Sequence, residues 1–208
     1  MSFVRRRLSF PFGELCLLQP REAAELPDDG PVEWAPLVPY WSVLWRSGVA
    51  LGRGLAGARL AGLRVVELGC GLGVPSLLAA RAGAAVLATD GCAEALELVE
   101  RNARENGLSV ATARVDWGAA DDLVARGPFD LVLAADLLYE RASVALLLSL
   151  LPRVGREVWM ADPGRSVAGV FLEQAHRHWS VATSVRDGME IHRLRTVPRP
   201  PAGTLDAP

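Results

Sequence analysis

Lysine is missing from this 208-residue sequence: all 22 basic residues are arginine. Against 24 acidic residues they leave a formal net charge of −2, which gives no support for a long nucleic-acid or anionic-membrane footprint. The one basic run, Arg5-Arg6-Arg7, is short and reads as a solvated arm. Cysteine is scarce as well. Cys16, Cys70 and Cys92 are widely spaced and form no C-x-x-C, which argues for a reducing compartment rather than a disulfide framework. Histidine is equally thin: His176 and His178 stand two apart and share no helical face, and His192 has no evident partner, so no metal site is expected. No stretch approaches the ~18 apolar residues that span a bilayer, and Phe10-Pro11-Phe12-Gly13 interrupts any signal-type run early. A cytoplasmic protein with no membrane or nucleic-acid partner is expected. Arginine without lysine, beside abundant alanine, glycine and leucine, suggests a GC-rich bacterial source.

Half of the residues are hydrophobic, enough for one sizeable core at this length and short for two. Residues 8–18 alternate around a Pro-Phe-Gly turn and predict a hairpin; residues 19–39, rich in proline and acid, predict a loop. Ser47 is placed to cap a helix running to about Ala58. Strands and helices then alternate: strands at 64–68, 84–89, 109–115, 129–135 and 156–161, and helices at 74–83, 92–106, 140–151 and 167–177. Two further strands, 179–185 and 190–196, flank Asp187-Gly188, a strong hairpin signal. This pattern predicts an α/β fold: a Rossmann-like, doubly wound, seven-stranded sheet, mostly parallel, with an antiparallel strand from the C-terminal hairpin. The expected organisation is an N-terminal hairpin and loop over 1–39, one domain over 40–197, and a disordered proline-rich tail over 198–208.

The most informative stretch is "VVELGCGLGVPSLLAARAGAAVLATD", residues 65–90. Glycines between a buried strand and a helix let the chain turn tightly and let a ligand approach the backbone amides. An acid about 20 residues on, at the end of the next strand, is placed to accept hydrogen bonds from ribose hydroxyls. Asp90 stands 21 residues after Gly69, so a nucleoside-containing cofactor follows. The dinucleotide fingerprint G-x-G-x-x-G would need glycine at 74, where Val74 stands. The observed spacing is Glu67-x-Gly69-x-Gly71-x-Gly73.

E-x-G-x-G-x-G resembles motif I of the class I S-adenosylmethionine (SAM) methyltransferases. The resemblance continues in order through "LWRSG" (44–48), "ELGCGLGVPSLLAA" (67–80), "ATD" (88–90), "VDWG" (115–118) and "LAADLLY" (133–139). Over about residues 40–195 the chain looks like the seven-β-strand protein lysine methyltransferases of methyltransferase family 16. "MADPGR" (160–165) resembles the branch that methylates the electron-transfer flavoprotein β-subunit.

The resemblance implies SAM as cofactor, S-adenosyl-L-homocysteine (SAH) as product, and a protein partner bearing a target lysine; the sequence does not fix the oligomeric state, and a monomer is favoured. It places Trp45, Glu67, Gly69, Cys70, Gly71, Gly73, Asp90, Asp116, Trp117 and the backbone of Ala135 at the cofactor, and Asp136 and Tyr139 of a (D/E)xx(Y/F) motif at the incoming amine. Plain readings stand beside these: Trp45 as a core aromatic, Asp116-Trp117 as a loop end and core plug, Asp136 as a helix N-cap, Tyr40 and Trp41 as packing or rim residues. Three other functions remain open on the sequence: methylation of a small-molecule nitrogen, a non-catalytic SAM-binding module, and a nicotinamide oxidoreductase, the last opposed by Val74.

Overall fold

The computed structural model describes residues 2–11, 13–24 and 39–196. Short apolar runs separated by helices form a parallel sheet: β3 (Arg64–Leu68), β4 (Ala85–Asp90), β5 (Ala111–Arg114), β6 (Leu131–Ala135) and β7 (Glu157–Asp162). It is completed by β8 (Trp179–Arg186) and β9 (Met189–Thr196), in the order β5-β4-β3-β6-β7-β9-β8. β9 alone runs against the other six strands of this sheet, because the Asp187-Gly188 turn reverses the chain there. Asp187 (φ 52°) and Gly188 (φ 75°) both lie in the left-handed region that such two-residue turns require.

Alternation along each strand feeds two cores. Val65, Leu131, Leu133 and Trp159 face α2 (Arg46–Gly54), α3 (Val74–Arg81) and part of α4 (Ala93–Glu105). Val66, Val132 and Val158 face α6 (Arg141–Val154) and α7 (Ser166–Ala175), with Leu123 of the short α5 (Asp121–Arg126). Strand order reverses between β3 and β6, so the carboxyl ends of these two strands open a crevice at the switch point.

The N-terminal hairpin, β1 (Phe3–Phe10) and β2 (Gly13–Pro20), forms a separate two-stranded sheet. Its Leu15, Leu17 and Leu18 nevertheless join the core beneath α2 and α3. The outer edge of β2 is held by two asparagines of α4. Asn102 exchanges hydrogen bonds with Leu18 (N–H to Oδ1 2.7 Å, Nδ2 to carbonyl 3.3 Å), and Asn106 does the same with Cys16 (2.9 and 2.6 Å). The match is geometric: four helical residues rise about 6 Å and two strand residues about 6.6 Å, so a helix face stands in for a third strand.

Several expectations are corrected. The hairpin is longer than 8–18, and Gln19 and Pro20 belong to β2, followed by one helical turn, α1 (Arg21–Ala24), where a loop was expected. Ser47 is not a cap: α2 starts one residue earlier, with Trp45 as its N-cap, and the buried Ser47 hydroxyl turns to the Met189 sulfur at 3.5 Å. The same helix ends at Gly54, short of Ala58, and Gly57 beyond it is left-handed (φ 81°). Asp136 does not cap α6, whose N-cap is Glu140. Between the strands expected at 109–115 and 129–135, where no element is expected, stand a 3₁₀ turn (Trp117–Ala119) and α5. Most of the 19–39 loop and the whole 198–208 tail lie outside the described residues.

No described helix is long and apolar enough to cross a membrane. Among the described residues no group of three or more His, Cys, Asp or Glu side chains could hold a metal ion.

Candidate active site

The crevice at the switch point is a cleft of about 460 Å³, within the ordinary range for small-molecule sites. Every residue that the sequence places at the cofactor or at the amine borders it, from the loop after β3, the ends of β4, β5 and β6, and the start of α2.

The floor is the loop 69–73. Gly69 (φ 58°), Gly71 (φ 50°) and Gly73 (φ 74°) are all left-handed, a backbone that side chains disfavour. Space demands glycine too. A Cβ on Gly69 would stand 2.6 Å from Leu137, and one on Gly73 would stand 2.7 Å from Val99. Cys70 borders the cleft, while its thiol packs with Ala88, Leu96 and Val99, where burial pushes its pKa well up.

Carboxylates anchor this floor. Asp90 accepts the Gly71 and Cys92 N–H groups, each at 2.9 Å, one on each oxygen. That fixes the carboxylate and leaves a further lone pair on each oxygen for a ligand. Glu67 is buried at the end of β3 and accepts the Ser76 N–H at 2.9 Å, within the first turn of α3. Burial raises its pKa from 4.5 to about 8, against the pull of Ser76. Asp116 accepts the Gly118 N–H at 2.9 Å and so caps the turn that presents Trp117. The Trp117 indole lies 3.4 Å from where a Gly69 Cβ would stand.

The mouth is aromatic. Tyr40 stacks on Trp45 (6.2 Å between ring centroids) and on Tyr139 (5.9 Å), and the Trp45 indole N–H donates to the Tyr40 carbonyl at 3.0 Å. Tyr40 and Tyr139 remain about half exposed. Tyr40 was read as packing or rim; its place in the stack had no signal beyond an aromatic near the "LWRSG" stretch. Asp136 follows β6 in a left-handed conformation (φ 62°), with its side chain only 8% exposed and ion-paired to Arg165. Burial raises its pKa, and Arg165 and the Ser47 hydroxyl pull it back. Tyr139 is also raised, by burial and then by the charges of Glu140 and Asp90.

The charges decide which nucleoside cofactor suits this cleft. Its charged lining residues are Glu67, Asp90, Asp116 and Asp136 against Arg114 alone, and the Arg114 guanidinium is turned to the Gly91 carbonyl at 2.9 Å. Glu67 is protonated below about pH 8, but Asp90, Asp116 and Asp136 still outnumber Arg114, so the lining repels a pyrophosphate and suits a cationic ligand.

A mixed seven-stranded sheet with a glycine cradle and strand-end acid at its switch point defines the class I methyltransferase fold. Solved structures agree. Ribosomal protein L11 methylase from Lactobacillus delbrueckii subsp. bulgaricus superposes with a TM-score of 0.59 at 24% identity, over 73% of this chain and 78% of that one. Magnesium protoporphyrin IX methyltransferase from Synechocystis PCC 6803, whose structure holds bound SAM, gives 0.54 at 23% identity, over 71% and 77%.

The family model described as lysine methyltransferase matches residues 41–162, more than half of the sequence, and the chain belongs to that family. Its relatives include the electron transfer flavoprotein beta subunit lysine methyltransferase of Xenopus laevis, 33% identical over 65% of this chain and 57% of that protein. The protein N-lysine methyltransferase METTL21A of Danio rerio is 36% identical over 53% of each. The EEF1A lysine methyltransferase 3 of Mus musculus is 33% identical over 68% and 66%. The chain thus spans between about half and two-thirds of the length of these relatives.

Proposed function

We propose that this chain transfers a methyl group from SAM to a nitrogen nucleophile, a lysine side chain of a protein. The acidic lining of the glycine-floored cleft carries this reading: an amino acid ammonium, a sulfonium and a ribose diol all suit fixed carboxylates, and a phosphate does not. In this reading the amides of loop 69–73 and Glu67 hold the amino acid end, Asp90 holds the sugar, and Asp116 and Trp117 hold the base. Trp45 and the Ala135 backbone close the sides. Family membership supports the lysine acceptor.

When bound, the cofactor supplies a methyl group on an already activated sulfonium leaving group. The protein has to align the amine, at roughly 3–3.5 Å from the methyl carbon, and keep water out. A lysine amine has a reference pKa of about 10.4, and desolvation between Tyr40 and Tyr139 favours its neutral, nucleophilic form. Asp136 is suited to accept the amine protons as a positioning acceptor, since a nearby carboxylate opposes amine deprotonation and makes a poor case for a strong base. Tyr139 walls the channel. No covalent enzyme intermediate is needed.

The test separates binding from turnover. Calorimetry with SAH should show binding to the wild type, none to Asp90→Ala, and near-native binding to Asp136→Ala. Radiolabelled SAM added to a lysate should label protein with the wild type but not with Asp136→Ala. The sequence has no lysine to self-label, so label recovered on lysine after hydrolysis reports an acceptor. Absence of SAH binding would overturn the cofactor. Label confined to small molecules would replace the protein acceptor with a small nitrogen nucleophile.

A further inference from the structure

Arg165 does not line the cleft, yet it touches the side chain on which the acceptor chemistry rests. One of its guanidinium nitrogens pairs with Asp136 and stands 3.2 Å from the Asp162 carboxylate. Asp162, at the end of β7, is itself fixed: its other oxygen accepts the Gly164 N–H at 2.8 Å and the Arg165 N–H at 2.7 Å. Gly164 is left-handed (φ 86°), which folds the loop back so that Arg165 becomes the N-cap residue of α7 while its side chain returns across the ends of β7 and β6. From the neighbouring strand Asp136 arrives with its own N–H bound to the Ala161 carbonyl at 2.9 Å. The three side chains are 1% (Asp162), 22% (Arg165) and 8% (Asp136) exposed.

We propose that Arg165 is the positioning residue of the acceptor site, holding the Asp136 carboxylate at the cleft wall while Asp162 shares its charge and leaves the triad one net negative charge for a cationic amine. The proposal rests on the reading of Asp136 as the amine acceptor.

The arrangement follows from the chemistry of the pair. Each terminal nitrogen of a guanidinium carries two N–H donors in a fixed plane, so one nitrogen can serve two carboxylates at once and fix the orientation of both. With Arg165 alone, Asp136 would be neutralised and would offer little to an ammonium. With Asp162 added, two carboxylates share one cation. The other groups near this cluster are the Ser47 hydroxyl of α2, which acts on Asp136, Glu190 of β9, whose carboxylate lies 3.8 Å from where a Gly164 Cβ would stand, and His192 of β9, which stands 3.5 Å from Glu190, feels the Asp162 charge and has its pKa lowered by burial. None brings a second cation at neutral pH, because burial holds the His192 imidazole neutral. Arg165 therefore sets how readily Asp136 keeps its charge.

The experiment is a carbon-13 carboxyl titration of Asp136 by NMR in wild type, Arg165→Met, Arg165→Lys and Asp162→Asn, paired with SAH calorimetry and methyl incorporation into a lysate. Arg165→Met should raise the Asp136 midpoint by about one pH unit or more. It should leave SAH affinity within about twofold, because Arg165 is outside the cleft, and lower kcat at saturating SAM by about tenfold or more. Arg165→Lys should restore most of the midpoint and less of the turnover, since it returns the charge on a shorter, non-planar head group. Asp162→Asn keeps an oxygen for the loop amides and gives Arg165 wholly to Asp136, so the midpoint should fall, opposite in sign.

An unmoved Asp136 midpoint in Arg165→Met, or wild-type kcat in that variant, would overturn the proposal. Should Arg165→Met fail to fold, the sign of the shift in Asp162→Asn decides alone. If wild-type protein binds no SAH, the cofactor reading fails, while the titrations still report whether Arg165 governs Asp136.

Discussion

Replacing Glu67 with glutamine should stabilise the ligand-free protein above about pH 6 and weaken its hold on SAH. The buried carboxylate titrates near 8 in the folded chain against 4.5 when free, so the folded state binds its proton more tightly. Stability is then greatest below the unfolded value and falls as pH rises toward 8, by about 1.4 kcal/mol per pH unit across that window. At pH 7 the pH-dependent cost reaches about 3 kcal/mol, or some 6–12 °C in Tm for a chain of this size. Glutamine removes the titration and keeps an oxygen for the Ser76 N–H. Its amide also offers a donor to the Ser76 hydroxyl, which is buried without a satisfied partner. Urea and thermal melts of both proteins at pH 4.5, 6, 7 and 8 check the argument. The two curves should nearly coincide at the lowest pH and separate steadily above it, with the variant more stable, and calorimetry should show at least tenfold weaker SAH binding. A stability gap that does not change with pH, or a variant less stable than wild type at pH 8, would refute the reasoning.

Gly73→Ala meets Val99 at 2.7 and 3.1 Å in a left-handed backbone, so it should cost about 2–4 kcal/mol in a denaturant melt and abolish SAH binding. Asn102→Ala leaves the buried N–H and carbonyl of Leu18 without partners, and a loss of about 2–4 kcal/mol is expected by the same assay. Tyr40→Ala removes the middle ring of the half-exposed stack; stability should change by less than about 1 kcal/mol, while kcat/KM for the labelled acceptor falls several-fold through KM.

The parallel core was legible in the sequence because buried strands announce themselves as continuous apolar runs. Val65 and Val66 both vanish from solvent, on opposite faces, and the run around them was read with its ends in place. Gly69, Gly71 and Gly73 were legible because their backbone geometry and their crowding leave little choice of residue. What failed was local polar chemistry decided at a distance. Ser47 looks like a cap from its neighbours alone, but its hydroxyl turns to Met189 and Asp136, far along the chain. Asp136 looks like another, until its left-handed backbone and Arg165 claim it. The α5 segment, Asp121–Arg126, is too short to show a helical period, and it is held by Leu123 in the core beside α6. Nothing in Asn102 or Asn106 marks them as partners of a strand some 84–90 positions earlier. Residue pairs so far apart in sequence leave no trace in a window of a dozen residues.

The clasp between β2 and α4 has a practical consequence. α4 begins three residues after Asp90, whose carboxylate also anchors the Cys92 amide in front of that helix. A shortened variant starting at residue 40 would therefore remove Leu15, Leu17 and Leu18 from the core that holds Leu77 and Leu78, and leave two asparagines with idle amides on the helix that Asp90 leads into. Anyone trimming this enzyme for crystallisation, or building libraries at its N-terminus, should treat the hairpin as part of the working machine rather than as a removable handle.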